Sequence, residues 1–269
     1  MQIYPMSFTC LNRWVGNEEF HKRQHNRVMN IEEIQKQFWE EGYVVVEDFF
    51  DHSLMDELHN LIIKRFLGEA VDSCLNDEFT QKSKCEIIPW FPQREGVKEF
   101  DRIDQILAFE EITTAILGKN WGNLYSMVMF SPKGSKGQAW HQDCPPEDHS
   151  CFNLNRLIYT RDIVSEIGGQ VQVVPGTHRE GPLPAGEVNV DFENQITLYP
   201  KKGTLVLLHG HTYHRVLPVT GFYRVSTNYR AAPEGIPAEI TDICVYRNMR
   251  YQFSTNCVVE DRTLEVAKS

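Results

Sequence analysis

The sequence predicts a mostly β protein with flanking α-helices. Helical periods occupy the first half of the chain, and from Leu124 the pattern changes to short strands separated by Gly and Pro. Short strands at this spacing, after a helical opening, are typical of a β-sandwich or β-barrel with helices packed outside it. A chain of 269 residues is long enough for one large domain with a sizeable core. We therefore expect a single domain over residues 1–269.

Within this domain the sequence divides into four parts. They are an N-terminal extension (1–29), a mainly helical support with a candidate lid (30–123), the β core (124–232) and a C-terminal segment (233–269). The extension is interpreted as packing on the domain, and a frayed tail is the alternative that its mixed composition leaves open.

Composition and charge exclude several classes of protein. The formal net charge of −10 disfavours a nucleic-acid binder, which normally carries a basic stripe. The seven cysteines form no CxxC pair, which suits a reducing cytosol better than a disulfide framework or a zinc site. There is no basic-then-apolar leader and no long apolar run. We expect a cytoplasmic protein that binds neither nucleic acid nor membrane, and the sequence leaves its oligomeric state open.

The helical part begins with a capping signal. Asn30 followed by Glu33 has the pattern of a capping box, and Gly42 is placed to end the helix. Residues 43–46 are then a short apolar run that predicts a buried strand. Two further helical regions are predicted from apolar spacing, over about 54–66 and 103–117.

Residues 68–100 have no clean period. Pro89 and Pro92 mark a loop within this stretch. A long irregular segment inside a compact domain is usually functional or a misread element, so we interpret it as a candidate lid.

The β part of the chain contains seven candidate strands. Each is a short apolar or alternating run bounded by turn residues. They are Leu124–Phe130, Gln138–Asp143, Phe152–Tyr159, Gln170–Val174, Gly203–His209, His214–Val219 and Phe222–Arg230.

The second candidate strand ends in a pattern that carries chemistry. Side chains two apart on a strand point to the same face, so His141 and Asp143 are expected to project together. A second imidazole from a distant strand would complete a two-His-one-carboxylate set, which holds Fe(II) and leaves positions open. An HxD triplet alone is weak evidence, because chance produces it often.

Three histidines compete to supply that second imidazole. His209 and His211 lie on either side of a Gly at the expected strand end, and His214 opens the next strand. Two other histidines are not expected to bind the metal. His178 is interpreted as a structural residue of a Pro-Gly-Thr-His turn, and His149 as a solvated loop residue. The residue pattern alone does not decide among the first three.

Several stretches, taken in order, resemble the phytanoyl-CoA dioxygenase-like family of Fe(II)/2-oxoglutarate oxygenases. The resemblance covers about residues 30–232, and it is specific as a set although each piece alone is not. The matching stretches are Glu41–Val46, Trp140–Asp143, Gly168–His178, Gly203–His214 and Arg224. One departure is Gly168, where relatives prefer Asn.

The resemblance implies a fold, ligands and cofactors. The implied fold is a double-stranded β-helix, a jelly-roll or cupin-like core. The implied iron ligands are His141, Asp143 and His214, with Arg224 pairing with the distal carboxylate of 2-oxoglutarate. Ser226, two residues further on the same strand face, can add a hydroxyl donor. The cofactors implied are Fe(II), 2-oxoglutarate as co-substrate, and O2.

The expected function is oxidation, foremost hydroxylation, of a small organic molecule such as an amino acid or a specialised metabolite, giving succinate and CO2. Asp143 favours this over halogenation, because halogenating relatives replace the carboxylate with a small residue. Desaturase or cyclase chemistry on the same iron site and a non-catalytic metal- or ligand-binding barrel are the alternatives. Unpaired polar groups on a core strand cost free energy, so Asn153 and Asn155 are either satisfied structural groups or candidate substrate contacts. Trp140 is a further candidate substrate contact.

Overall fold

The computed structural model describes four stretches of the chain and two further strands. These are residues 30–68, 87–184, 191–237 and 240, with the backbone alone of Tyr251–Phe253 and Val258–Asp261. The expected N-terminal extension (1–29) lies outside the described residues, as do residues 69–86 of the candidate lid.

The described helices lie in the first half of the chain, as predicted. They are α1 (Ile31–Glu41), α2 (His52–Leu67), α3 (Asp101–Asp104) and α4 (Leu107–Leu117). Helix α1 ends at Gly42, which has a φ of 78°. A Cβ at this position would lie 2.4 Å from Oγ1 of Thr212, so the glycine is required by both backbone and space. None of the described helices is long and apolar enough to cross a membrane.

The strands agree with the predicted set and extend it. They are β1 (Tyr43–Val46), β2 (Ile88–Trp90), β3 (Gly122–Pro132), β4 (Gln138–His141), β5 (Leu154–Ile158), β6 (Val171–Val173), β7 (Ile196–Leu198), β8 (Leu205–His209), β9 (His214–Val216), β10 (Tyr223–Ala232), β11 (Tyr251–Phe253) and β12 (Val258–Asp261). Strands β2, β7, β11 and β12 were not predicted; each has only three or four residues, which leaves a short pattern to recognise.

The strands form two facing antiparallel sheets and a separate β11–β12 pair. The major sheet has the order β1-β8-β5-β10-β3-β2 and the minor sheet the order β4-β9-β6-β7. From β3 to β10 the chain passes back and forth between the sheets, so that β10 lies between β3 and β5 while β9 lies between β4 and β6. This is the jelly-roll order of a double-stranded β-helix, and the predicted fold class is confirmed.

An apolar core fills part of the space between the sheets. It joins residues of both, namely Tyr43, Met129, Leu157, Tyr159, Val206 and Leu208 with Val171, Val173, Leu198 and Val216. The helices cover the other face of the major sheet, where Phe109 of α4 contacts Tyr229 of β10 with ring centroids 6.0 Å apart.

Strand β10 has an unusual inner face. Since Tyr229 points to the helices, alternation places four polar side chains on the opposite face, toward the minor sheet. They are Arg224, Ser226, Asn228 and Arg230, and all are buried. This polar row places charged and hydrogen-bonding side chains in the space between the sheets.

Candidate metal and co-substrate site

The minor sheet brings the two histidines of the implied ligand set together. In the antiparallel pairing of β4 with β9, His141 lies directly opposite His214. Their ring centroids are 4.1 Å apart. Asp143 follows the end of β4, and its backbone N–H donates to the carbonyl of Gly210 at 2.7 Å. The ligand atoms of these three side chains lie within 4.8 Å of one another, and all three residues are buried.

Backbone hydrogen bonds fix the orientation of both rings. Nδ1 of His141 lies 2.7 Å from the carbonyl oxygen of Ala139, and Nδ1 of His214 lies 2.9 Å from that of Thr212. A carbonyl oxygen can only accept, so each Nδ1 carries the proton and donates. In a neutral ring with this tautomer, Nε2 carries the lone pair that a metal needs, and the Nε2 atoms of His141 and His214 lie 3.7 and 3.5 Å from the carboxylate of Asp143.

The electrostatics of the cluster suit a cation. Burial, helped by the neighbouring His214, lowers the pKa of His141 to about 3, so its ring is neutral at pH 7. Burial alone would raise the pKa of Asp143. Arg230, with both histidines and a hydrogen bond from Asn155, outweighs that burial and holds the pKa of Asp143 below its usual value. Two imidazole nitrogens and one carboxylate oxygen form a donor set that suits Fe(II).

Arg224 lies on the same inner face and is 2% exposed. Its Nε donates to the carbonyl oxygen of Gly169 at 2.9 Å. Its Nη1 and the hydroxyl of Ser226 are buried without a hydrogen-bond partner in the described part of the chain. A bound carboxylate would accept hydrogen bonds from both of these donors and would pair with the positive charge of the Arg224 guanidinium.

Tyr159 is a neighbour of Arg224 that the sequence did not single out. Burial raises the pKa of the Tyr159 phenol, and burial lowers the pKa of Arg224, while each group opposes the shift of the other. The hydroxyl of Tyr159 is buried and has no partner with good hydrogen-bond geometry among the described residues, although it lies close enough to Arg224 for each group to shift the pKa of the other. Tyr159 thus belongs with Arg224 and Ser226 to one polar group inside an otherwise apolar core.

The two asparagines expected to contact substrate are both hydrogen-bonded to Asp143. Nδ2 of Asn153 donates to the backbone carbonyl of Asp143 at 3.2 Å, and Nδ2 of Asn155 donates to Oδ2 of its carboxylate at 2.7 Å. Oδ1 of Asn155 accepts from Asn228 at 2.7 Å. Oδ1 of Asn153 is buried without a partner in the described structure, so contact with substrate stays a prediction for this residue.

Trp140 lies on the opposite face of β4 from His141, and its contact with substrate stays a prediction. Its ring packs against Phe192, with centroids 5.0 Å apart, and beneath the guanidinium of Arg215 at 4.7 Å. Gln142 follows the same alternation and donates to the carbonyl of His211 at 2.8 Å. Successive side chains on a strand point to opposite faces, so the immediate neighbours of His141 and Asp143 point away from the metal site.

The other histidines lie outside the cluster. His209 stacks on Phe152 with ring centroids 4.3 Å apart, and its Nδ1 accepts from the backbone N–H of His211. Nε2 of His178 lies 3.2 Å from the carbonyl oxygen of Trp39, which ties the turn to helix α1. Among the described residues, the one group of His, Cys, Asp and Glu side chains arranged to hold a metal ion is that of His141, Asp143 and His214.

Comparison with known proteins agrees with this geometry. The family model of phytanoyl-CoA dioxygenase (PhyH) matches residues 38–224. A curated relative, the probable alpha-ketoglutarate-dependent hypophosphite dioxygenase of Stutzerimonas stutzeri, is 25% identical over 152 residues, 55% of this chain. The match spans 53% of that relative, about half its length.

Solved structures share the fold at low identity. HygX from Streptomyces hygroscopicus, with nickel and 2-oxoglutarate bound, superposes with a TM-score of 0.61 at 15% identity, covering 76% of this chain and 87% of that one. The epimerase SnoN, in complex with Fe3+, alpha ketoglutarate and nogalamycin RO, gives a TM-score of 0.58 at 16% identity over 79% and 89%. The family match covers more than half of the chain. The chain therefore belongs to the phytanoyl-CoA dioxygenase (PhyH) family.

Proposed function

We propose that this protein is an Fe(II)- and 2-oxoglutarate-dependent dioxygenase that hydroxylates a small organic molecule and releases succinate and CO2. The observation that carries the proposal is the buried cluster of His141, Asp143 and His214, with ligand atoms within 4.8 Å of one another. Family membership supports the same chemistry.

The three side chains would hold the metal through nitrogen and oxygen. The Nε2 atoms of His141 and His214 supply neutral nitrogen ligands, because their Nδ1 protons are held by backbone carbonyls. Asp143 supplies the anionic oxygen. Bound Fe(II) would supply the activation of O2, coupled to oxidative decarboxylation of 2-oxoglutarate and oxidation of the substrate.

Arg224 would bind the distal carboxylate of 2-oxoglutarate. Its guanidinium stays protonated even when buried, and a planar fork of N–H donors matches a carboxylate. The Ser226 hydroxyl, on the same strand face, and that of Tyr159 are buried donors that the carboxylate would satisfy. Because all three groups are buried, water is excluded and the ion pair gains strength from the low dielectric.

The substrate is proposed to be a small molecule, such as an amino acid or specialised metabolite. In similar solved structures the bound molecules are hygromycin B in HygX and nogalamycin RO in SnoN. The relative from Stutzerimonas stutzeri is named for hypophosphite. Fold does not choose among such substrates, so the class rests on the small molecules named for these similar proteins.

Anaerobic titration tests the proposal. Adding Fe(II) and then 2-oxoglutarate should produce a metal-to-ligand charge-transfer band, and aerobic turnover with a metabolite panel should form succinate. His214→Ala should lose both signals, whereas His211→Gln, altering a histidine outside the cluster, should keep them. A charge-transfer band of full strength in His214→Ala would refute the ligand assignment. A band without succinate for any substrate would favour the non-catalytic alternative.

A further inference from the structure

The carboxylate of Asp143 is held on one side only. Its Oδ2 accepts from Nδ2 of Asn155 at 2.7 Å and pairs with Nη2 of Arg230 at 3.0 Å. Oδ2 also lies 3.5 Å from Nε2 of His214, and the other oxygen, Oδ1, lies 3.7 Å from Nε2 of His141. The two oxygens of this ligand therefore have different surroundings.

The contact with Asn155 is directional. Oδ1 of the Asn155 amide accepts from Nδ2 of Asn228 at 2.7 Å, so the amide nitrogen is turned toward Asp143. Reversing this amide would set two oxygens against each other at the carboxylate and two nitrogens against each other at Asn228. The chain Asn228–Asn155–Asp143 thus has one favourable orientation.

Arg230 reaches the same oxygen from a different strand. It lies on the inner face of β10, six residues beyond Arg224, and its guanidinium is also over the ring of Tyr125 at 5.5 Å. Arg230 and Asn155 are 6% and 1% exposed, so neither contact is weakened by solvent. A charged and a neutral donor on one oxygen are enough to fix the rotation of a carboxylate.

We propose that Asn155 and Arg230 are positioning residues that engage Oδ2 of Asp143 and so fix the orientation of its carboxylate toward the metal. This inference rests on the proposed function, because it assumes that Asp143 is a ligand. It gives the polar inner faces of β5 and β10 a role toward the metal. It also explains why Asn155 is buried on a core strand without needing a substrate to satisfy it.

The two residues make different predictions for metal affinity. Asn155→Leu keeps the volume and changes no charge, so loss of orientation alone should weaken metal binding, by about 10- to 100-fold. Arg230→Gln removes a positive charge next to the metal, and this removal should favour binding of a cation. The same change also frees the carboxylate of Asp143 to rotate, which should weaken metal binding. For Arg230 the geometry of coordination, read from a spectrum, is therefore the decisive measurement.

Anaerobic titration with Co(II), without co-substrate, provides both measurements. Dissociation constants and Co(II) d–d absorption spectra should be compared for wild type, Asn155→Leu, Arg230→Gln and Arg230→Lys. We expect an altered spectrum in the first two variants and a smaller change in Arg230→Lys, which keeps the charge and one donor. Arg230→Lys also serves if Arg230→Gln does not fold, as judged by thermal unfolding of the metal-free protein.

Arg215→Gln is the matched control. Arg215 is a similarly buried arginine that pairs with Asp191 on the outer face of the minor sheet, above Trp140. Its variant should bind Co(II) with the wild-type spectrum. A wild-type spectrum and affinity in Asn155→Leu, or a change in Arg215→Gln as large as in Arg230→Gln, would overturn the inference.

Asp143→Ala separates this inference from the proposed function. If Asp143→Ala binds Co(II) as wild type does, the metal site itself is wrongly assigned. If Asp143→Ala loses Co(II) while the Asn155 and Arg230 variants keep the wild-type spectrum, the site stands and only the positioning role fails.

Discussion

Arg224 crosses directly over the backbone of Gly169. The Nε of Arg224 donates to the Gly169 carbonyl at 2.9 Å, and a Cβ at position 169 would lie 2.8 Å from Cδ of the arginine. Gly169 also has a φ of +71°, in the region that favours glycine. Gly169, the second glycine of the Gly168-Gly169 pair, therefore has a function in placing the side chain of Arg224.

Gly169→Ala should weaken 2-oxoglutarate binding by about tenfold or more, since the arginine must move for the methyl group to fit and 1.4 kcal/mol corresponds to a factor of ten. Equilibrium titration of the Fe(II) protein with 2-oxoglutarate measures this. Gly118→Ala is the control, because Gly118 has a similar φ of +84° but open space around its Cβ. Equal affinities for 2-oxoglutarate in the two variants would refute the packing argument.

Arg224→Ala should cost far more affinity. It would leave a buried carboxylate of 2-oxoglutarate unpaired, and losing one member of such a pair costs about 2–5 kcal/mol, or roughly tens- to thousands-fold. The apparent affinity for 2-oxoglutarate, measured with Fe(II) binding as the internal check, tests this. Unchanged affinity would mean that another residue binds the distal carboxylate.

Tyr159→Phe should have a smaller effect of the same kind. It removes one buried hydroxyl beside Arg224 and keeps the ring that packs in the core. A hydrogen bond to a charged group contributes about 1.5–3 kcal/mol, so 2-oxoglutarate should bind about tenfold or more weakly. The same titration gives the answer, and wild-type affinity in this variant would make Tyr159 a packing residue.

Much of the fold could be predicted from the sequence, because its elements carry strong local signals. The capping pattern at Asn30 and the glycine at position 42 bound α1 in the structure as they do in the sequence. The alternation of β4 likewise predicts that His141 and Asp143 share a face. Strands β2 and β7, of three residues each, have no such signal, and their existence depends on pairing with a neighbour across the sheet.

The alternation of side chains along a strand predicted part of the site. The residues that were missed lie further along the same strand, where the alternation was not followed. The same period of two that links Arg224 to Ser226 continues to Asn228 and Arg230, so the polar row of β10 was readable in principle. The hydrogen-bond and ion-pair partners of these side chains could not be predicted from the sequence. Which oxygen of Asp143 meets Arg230, and which way the Asn155 amide faces, depend on packing between distant strands.

Trp140→Phe should reduce stability and leave co-substrate binding unchanged. The indole packs on the outer face of the minor sheet against Phe192 and Arg215, away from the metal ligands. Reducing a buried aromatic should lower the free energy of unfolding by about 1–3 kcal/mol. Urea unfolding and 2-oxoglutarate titration measure the two quantities, and weaker 2-oxoglutarate binding at unchanged stability would contradict the placement.

The metal-free protein should lose stability in mild acid through His178. Burial lowers the pKa of His178 to about 4, and its Nδ1 has no hydrogen-bond partner among the described residues, so a proton there would be buried unpaired. The unfolded chain, with a histidine pKa near 6.5, takes up the proton first as pH falls. The stabilising contribution is therefore full above pH 6.5 and is lost between pH 6.5 and about 4, with roughly 2 kcal/mol gone by pH 5.

Unfolding free energies from urea titrations at pH 7.5, 6 and 5, in the presence of a chelator, test this. His178→Asn should reduce the difference between pH 7.5 and pH 5 by about 2 kcal/mol. It should not abolish the difference, because burial also lowers the pKa of His209 and gives a slope of the same sign. A His178→Asn variant as acid-sensitive as wild type would show that this ring accepts its proton in the folded state without cost.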